Sequence, residues 1–171
     1  MESSSNHVRK LAIKEFTLDG FHVYGTFANL INPNTPRLGA EPVEFFRDMA
    51  VLTLAQNCAP SFSVCRVLKR PLVIGTVEYH THTGEGILPL DGDVLIHVGM
   101  ATPNGEVPLD KLEVFRVPQG TVVMLRPGVW HEAPFAHGCG SVNVLIVLPE
   151  RIYANDCTVH QIPDDQKIQI I

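Results

Sequence analysis

Thirteen prolines and thirteen glycines divide the 171 residues into short pieces, and few of those pieces keep a 3.6-residue apolar rhythm for the length of a helix. The pieces are instead rich in Val, Ile, Leu and Phe, as half-buried strands are. Strands are expected within Val43 to Thr53, and over Ser61 to Leu68, Leu72 to His80, Gly86 to Pro89, Asp93 to Gly99, Leu112 to Val117, Thr121 to Leu125 and Ser141 to Leu148. Leu90-Asp91-Gly92-Asp93 and Thr102-Pro103-Asn104-Gly105 read as tight turns, because Asp-Gly and Asn-Gly tolerate the positive φ that such turns demand. Many short strands separated by turn residues fold as a sandwich or a closed barrel, so the chain is expected to be all-β. Helix is confined to a turn within Thr17 to Phe27, capped near Asp19, and a last turn at Asp164-Asp165-Gln166. Pro33 to Gly39 reads as a loop. One domain over residues 1–171 is expected, with residues 1–10 as a polar, disordered tail.

Hydrophobic residues make up 45% and charged residues 18%, a balance that supports a packed core. A net charge of −5, with no Lys/Arg concentration beyond Arg66, Lys69 and Arg70, gives no footprint for a phosphate backbone and excludes nucleic acid as a partner. No run of 18 apolar residues reads as a bilayer span, and MESSSNHVRK lacks the apolar stretch of a secretory signal. A soluble, cytoplasmic protein that engages no membrane is expected. Cys58, Cys65, Cys139 and Cys157 form no C-x-x-C pair and are expected to be reduced and mostly buried.

The chemistry concentrates in GTVEYHTHTGEG, residues 75–86. Alternate residues of a strand share a face, so Glu78, His80 and His82 are expected on one side and Val77, Tyr79 and Thr81 on the other. Glu85 and Gly92 complete the pattern H-x-H-x-x-E-x-x-x-x-x-x-G. Downstream, Gly120 to Leu125 reads as a strand that leads through Arg126-Pro127-Gly128 to Trp130-His131. In a closed barrel this second strand can face the first, bringing His131 towards His80 and His82. Burying three imidazoles and a carboxylate without a shared partner carries a desolvation cost, which favours a common ligand. Three histidines with Glu85 or Glu78 would suit a divalent metal, with Zn, Mn, Fe and Ni all compatible. The plainer reading is kept elsewhere: a hydrogen-bonded structural residue for His97, a surface loop for His137, and solvated strand edges for Arg66 and Lys69.

These two pieces resemble the two signature motifs of the cupin superfamily, and within it the chain is most similar to the ureidoglycolate lyase family. The similarity runs through Glu15-Phe16 to Tyr24-Gly25, Glu44 to Ala50, Glu78-x-His80, Ile87-Leu88-Pro89-Leu90-x-Gly92, and Gly128-Val129-Trp130-His131-Glu132-Ala133-Pro134-Phe135. The resemblance implies a double-stranded β-helix, a homodimer, and a small carboxylate-bearing substrate, ureidoglycolate, cleaved to glyoxylate and urea. Such chemistry needs a base, an acid and a carboxylate anchor; Glu78 and Glu132 are the candidates for the first two and Arg126 for the third. A cupin that binds a metabolite without turning it over, or a metal-dependent oxygenase or isomerase, is the alternative.

Overall fold

A computed structural model describes residues 8–171. Its strands in chain order are β1 (Arg9–Leu11), β2 (Ile13–Lys14), β3 (Gly25–Asn29), β4 (Pro60–Leu68), β5 (Val73–Ile74), β6 (Thr76–Tyr79) and β7 (Glu85–Pro89). They continue as β8 (Asp93–Val98), β9 (Glu113–Val117), β10 (Thr121–Leu125), β11 (Phe135–His137), β12 (Ser141–Pro149), β13 (Thr158–Gln161) and β14 (Ile168–Ile170). Helix is limited to the four-residue turns α1 (Leu18–Phe21) and α2 (Ile152–Asn155) and to 3-10 turns at Leu109–Lys111 and Asp164–Gln166.

Two walls form the barrel. One is the antiparallel order β3-β10-β7-β12-β4. The other is β11-β8-β9-β2, and isolated bridges Gly99↔Trp130 and Glu78↔His131 extend it past β8 to β6. Chain neighbours such as β7 and β8 therefore lie in opposite walls, which is the jelly-roll winding of an all-β double-stranded β-helix. Beside the barrel, β14 sits between β1, which it meets in parallel, and β5.

Side-chain parity explains the layers. On β12, Val142, Val144, Ile146 and Leu148 point into the barrel and the residues between them face outwards. Strand β8 is buried on both faces: Val94, Ile96 and Val98 join the barrel core with Phe21, Ile87, Phe115 and Val123, while Leu95 joins an outer core with Ile74, Val77, Trp130, Phe135 and Ile168. The barrel therefore has a second apolar layer behind the wall that carries the site.

The structure corrects several expectations. Arg9 and Lys10, assigned to the tail, belong to β1 because β14 offers them a ladder; residues 1–7 of that tail lie outside the described residues. Within Val43 to Thr53 only Phe45 is bridged, to Leu38, and Val43, Phe45 and Val51 are exposed: apolar composition forms no strand without a partner edge. The 72–80 strand breaks at Gly75 into β5 and β6, which pair with different partners. Helix α1 is capped by Thr17, whose Oγ1 accepts the Gly20 N–H at 3.0 Å, not by Asp19. All four cysteines are free, but Cys58 and Cys139 are exposed.

Candidate metal centre

Strand β6 sends Val77 and Tyr79 to the outer core and Glu78 the opposite way, towards the barrel. Glu78 pairs directly across with His131: the Glu78 N–H donates to the His131 carbonyl at 2.6 Å and the His131 N–H returns to Glu78 at 2.9 Å, so the two side chains share a face. His131 owes its place to the turn before it. Gly128 has φ +79°, a conformation other residues rarely adopt, and its N–H donates to the His80 carbonyl at 2.7 Å. Glu85 arrives from the facing wall as the first residue of β7. The chain just before it runs so close to the Leu125 carbonyl that a Cβ at Gly84 would collide with that oxygen.

The result is a buried cluster of Glu78, His80, Glu85 and His131, with one donor atom from each lying within 4.8 Å of the others. Oε2 of Glu85 lies 3.2 Å from Nε2 of His80 and 2.9 Å from Nε2 of His131. Both imidazoles spend their Nδ1–H on backbone carbonyls, His80 on Asp156 at 2.7 Å and His131 on Val129 at 2.8 Å. In the neutral tautomer each Nε2 then carries a lone pair aimed at a carboxylate that also has only lone pairs to offer. Such a convergence needs a proton or a cation at its centre.

The protein alone supplies a proton. Burial pushes the His131 pKa down, but the charge and hydrogen bond of Glu85 more than offset this and raise it to about 9. Burial likewise pushes the Glu85 carboxyl up, yet His131 first, and His80 with it, hold it at about 2. A divalent cation fits the same place. Two imidazole nitrogens oriented by N–H···O=C contacts and two carboxylates form a donor set of the kind that Zn, Mn, Fe and Ni accept.

His82 does not join. Strand β6 ends at Tyr79, so the alternation that would align His82 with His80 no longer operates, and its side chain is 75% exposed beside Asp156. The carboxylate is not a choice between Glu85 and Glu78, because both lie in the cluster. Glu132 is half-buried next to it; burial raises its pKa, Arg70 opposes this, and the charge of Glu78 adds to the rise. Arg126 is exposed and forms no ion pair among the described residues. The cation beside Glu132 is Arg70, with Nη2 at 3.5 Å from the carboxylate, 2.8 Å from the Ala133 carbonyl and its guanidinium 4.1 Å above the Phe135 ring. Sequence spacing carried no signal for Arg70, 62 residues away from Glu132.

His97 points away from the site into the outer core, donating through Nε2 to the Thr76 carbonyl at 3.3 Å, and burial holds its pKa down at about 3. His137 ends β11 rather than lying on a loop. Two further side chains face the cluster electrostatically. Partial desolvation and then the charges of Glu85 and Glu78 push the Tyr153 hydroxyl up although the residue is largely exposed, and burial with Glu78 pushes the Cys157 thiol up to about 12. Tyr153 and Cys65 line a cavity of about 390 Å³ together with Ser61, Ser63 and Arg151.

A jelly-roll barrel with histidines from two separated motifs meeting carboxylates inside it defines a cupin. A family model described as ureidoglycolate lyase matches residues 8–169, and the chain belongs to that family. No curated protein matches it. Among solved structures it is similar to a dTDP sugar isomerase from Desulfovibrio desulfuricans G20, at 14% identity and TM-score 0.48 over 82% of this chain and 85% of that one. It is also similar to Bacillus subtilis oxalate decarboxylase (15%, TM-score 0.41, 60% and 23%) and to vicilin from the hazelnut Corylus avellana (14%, TM-score 0.40, 62% and 27%). The chain spans only about a quarter of the last two proteins. None of the described helices is long and apolar enough to cross a membrane.

Proposed function

We propose that the protein is a ureidoglycolate-type lyase, releasing urea and glyoxylate at a divalent metal held by His80, His131, Glu85 and Glu78. The observation that carries this reading is the pair of imidazole Nε2 atoms turned on one buried carboxylate, each fixed by a carbonyl behind it. A divalent ion held by these four residues would supply positive charge beside a substrate hydroxyl and lower its pKa. Glu78, half-buried and ending in the same space, would hold the ion through one oxygen and accepts the hydroxyl proton on the other, the one Cys157 touches, as the carbon–nitrogen bond breaks. Glu132, half-buried beside the cluster, is the acid assigned to the departing urea nitrogen. Arg70 is the anchor for the substrate carboxylate, since it stands beside Glu132 while Arg126 lies on the exposed turn after β10.

Elemental analysis of the purified protein, paired with a ureidoglycolate turnover assay on wild type, His80→Ala and His131→Ala, tests the proposal. One equivalent of metal and turnover, both lost in the two variants with circular dichroism unchanged, is expected. Full turnover in both variants eliminates this mechanism. Saturable binding of the substrate without turnover points to a carrier, and oxygen consumption with bound iron to an oxygenase.

A further inference from the structure

Two residues between α2 and β13 grip the cluster from outside it. The backbone carbonyl of Asp156 accepts the Nδ1–H of His80 at 2.7 Å. Its side-chain carboxylate accepts the N–H groups of Thr81 at 2.7 Å and His82 at 2.8 Å, one on each oxygen. The next residue, Cys157, donates its S–H to Oε2 of Glu78 at 3.4 Å. One dipeptide therefore touches both cluster residues of the β6 side.

The placement matters because of where β6 stops. His80 follows the last ladder residue, Tyr79, so its carbonyl is held by the Gly128 N–H rather than by strand pairing, and the turn that follows, Thr81-His82, depends on Asp156. Asp156 closes that turn by capping two successive N–H groups, and the same residue's carbonyl then meets the ring. A neutral imidazole has a single N–H; engaging it at Nδ1 commits the lone pair to Nε2, the atom that faces Glu85. The Cys157 contact occupies one oxygen of Glu78 and turns the other free for a ligand.

We infer that Asp156-Cys157 is the positioning element of the centre: it selects the His80 tautomer that presents Nε2 to a cation and sets the orientation of the Glu78 carboxylate. This rests on reading the cluster as a metal centre. Outer contacts of this kind are worth about 10–100-fold in metal affinity.

The test compares full-length wild type with Asp156→Ala, Asp156→Asn, Cys157→Ala and Cys157→Ser. Zn²⁺ affinity is measured by chelator competition, and the His80 ring tautomer by ¹⁵N NMR on metal-free protein. Asp156→Ala keeps the backbone carbonyl but removes the two caps that align it with the ring, and is expected to weaken Zn²⁺ about 10-fold and to convert His80 from the Nδ1–H form to a mixture, with circular dichroism unchanged. Asp156→Asn, which keeps one acceptor oxygen, falls between the two and carries the comparison if the alanine variant does not fold. Cys157→Ser retains a donor and binds as wild type, whereas Cys157→Ala binds more weakly. Unchanged affinity and an unchanged His80 tautomer in Asp156→Ala overturn the inference. No saturable Zn²⁺ binding by wild type, with the tautomer still shifting in Asp156→Ala, sinks the metal reading and leaves the dipeptide as an imidazole-orienting device.

Discussion

Replacing Glu85 by Gln removes the negative charge from the centre of the buried cluster while keeping its volume. In the metal-free protein the Glu85 carboxyl stands near 2 against an ordinary 4.5, and His131 near 9 against 6.5. The two displacements describe one interaction and are counted once, about 3 kcal/mol at about 1.4 kcal/mol per pKa unit. A Gln amide can donate to one of the two Nε2 atoms and recover about 1 kcal/mol, leaving a net loss of about 2 kcal/mol. For a chain of this size that lowers Tm by about 4–8 °C. The pH dependence follows from the signs. His131 has its pKa raised in the fold, so its contribution is complete below pH 6.5 and disappears as pH climbs through 9; Glu85 has its pKa lowered, so its contribution is complete above pH 4.5 and fades as pH drops towards 2. Thermal unfolding followed by circular dichroism in EDTA should therefore show the largest gap between wild type and Glu85→Gln near pH 5–6 and a gap that closes beyond pH 9. A gap that is absent, or that stays constant from pH 6 to pH 10, refutes the account of the cluster. Adding Zn²⁺ at about 100 times its Kd should then stabilise wild type by about 2.7 kcal/mol and the variant by less.

His82→Ala should leave metal stoichiometry unchanged, because the side chain is exposed; loss of metal measured by elemental analysis would return His82 to the ligand set. Glu132→Gln should lower kcat about 10²–10⁴-fold with KM little changed if it delivers the proton to the leaving nitrogen, and steady-state kinetics with ureidoglycolate decide. Arg70→Ala should raise KM for the acid substrate while Arg126→Ala does not; the reverse result restores Arg126 as the anchor. A homodimer is expected to sediment at twice the 18.8 kDa chain mass, and a single species at 18.8 kDa at all concentrations removes it. The N-terminal strands are placed to take part in such a dimer's ladders, since β1, β2 and β3 each end a sheet and pair on one edge only within their own chain.

The parts of this architecture that could be read from residues were those with local punctuation. Strand β10 has the limits expected of it because Gly120 and Arg126-Pro127 bracket Thr121 and four apolar residues, and β12 is legible as a nine-residue run rich in Val, Leu and Ile. Strands β1, β11 and β14 are three residues each, RKL, FAH and IQI, too short for any period, and exist because a neighbour completes their ladder. The site divides in the same way. His80, Glu85 and His131 were visible through motif spacing, but extending the strand alternation to His82 ran past the end of β6. Arg70, Asp156 and Cys157 meet the site only through tertiary folding, 62 to 79 positions from the residues they touch, and no local pattern points to them.

The position of β14 has a consequence for how the chain is made. Ile168–Ile170 is the middle strand between β1 and β5, and Ile168 and Ile170 are buried. Until residues 168–170 have left the ribosome, the strands at positions 9–11 and 73–74 have raw edges, and the apolar back of the barrel wall lacks its cover. Consolidation of that layer must wait until residues 168–170 emerge, and the interval before it is when chaperone capture or edge-to-edge association has its opportunity.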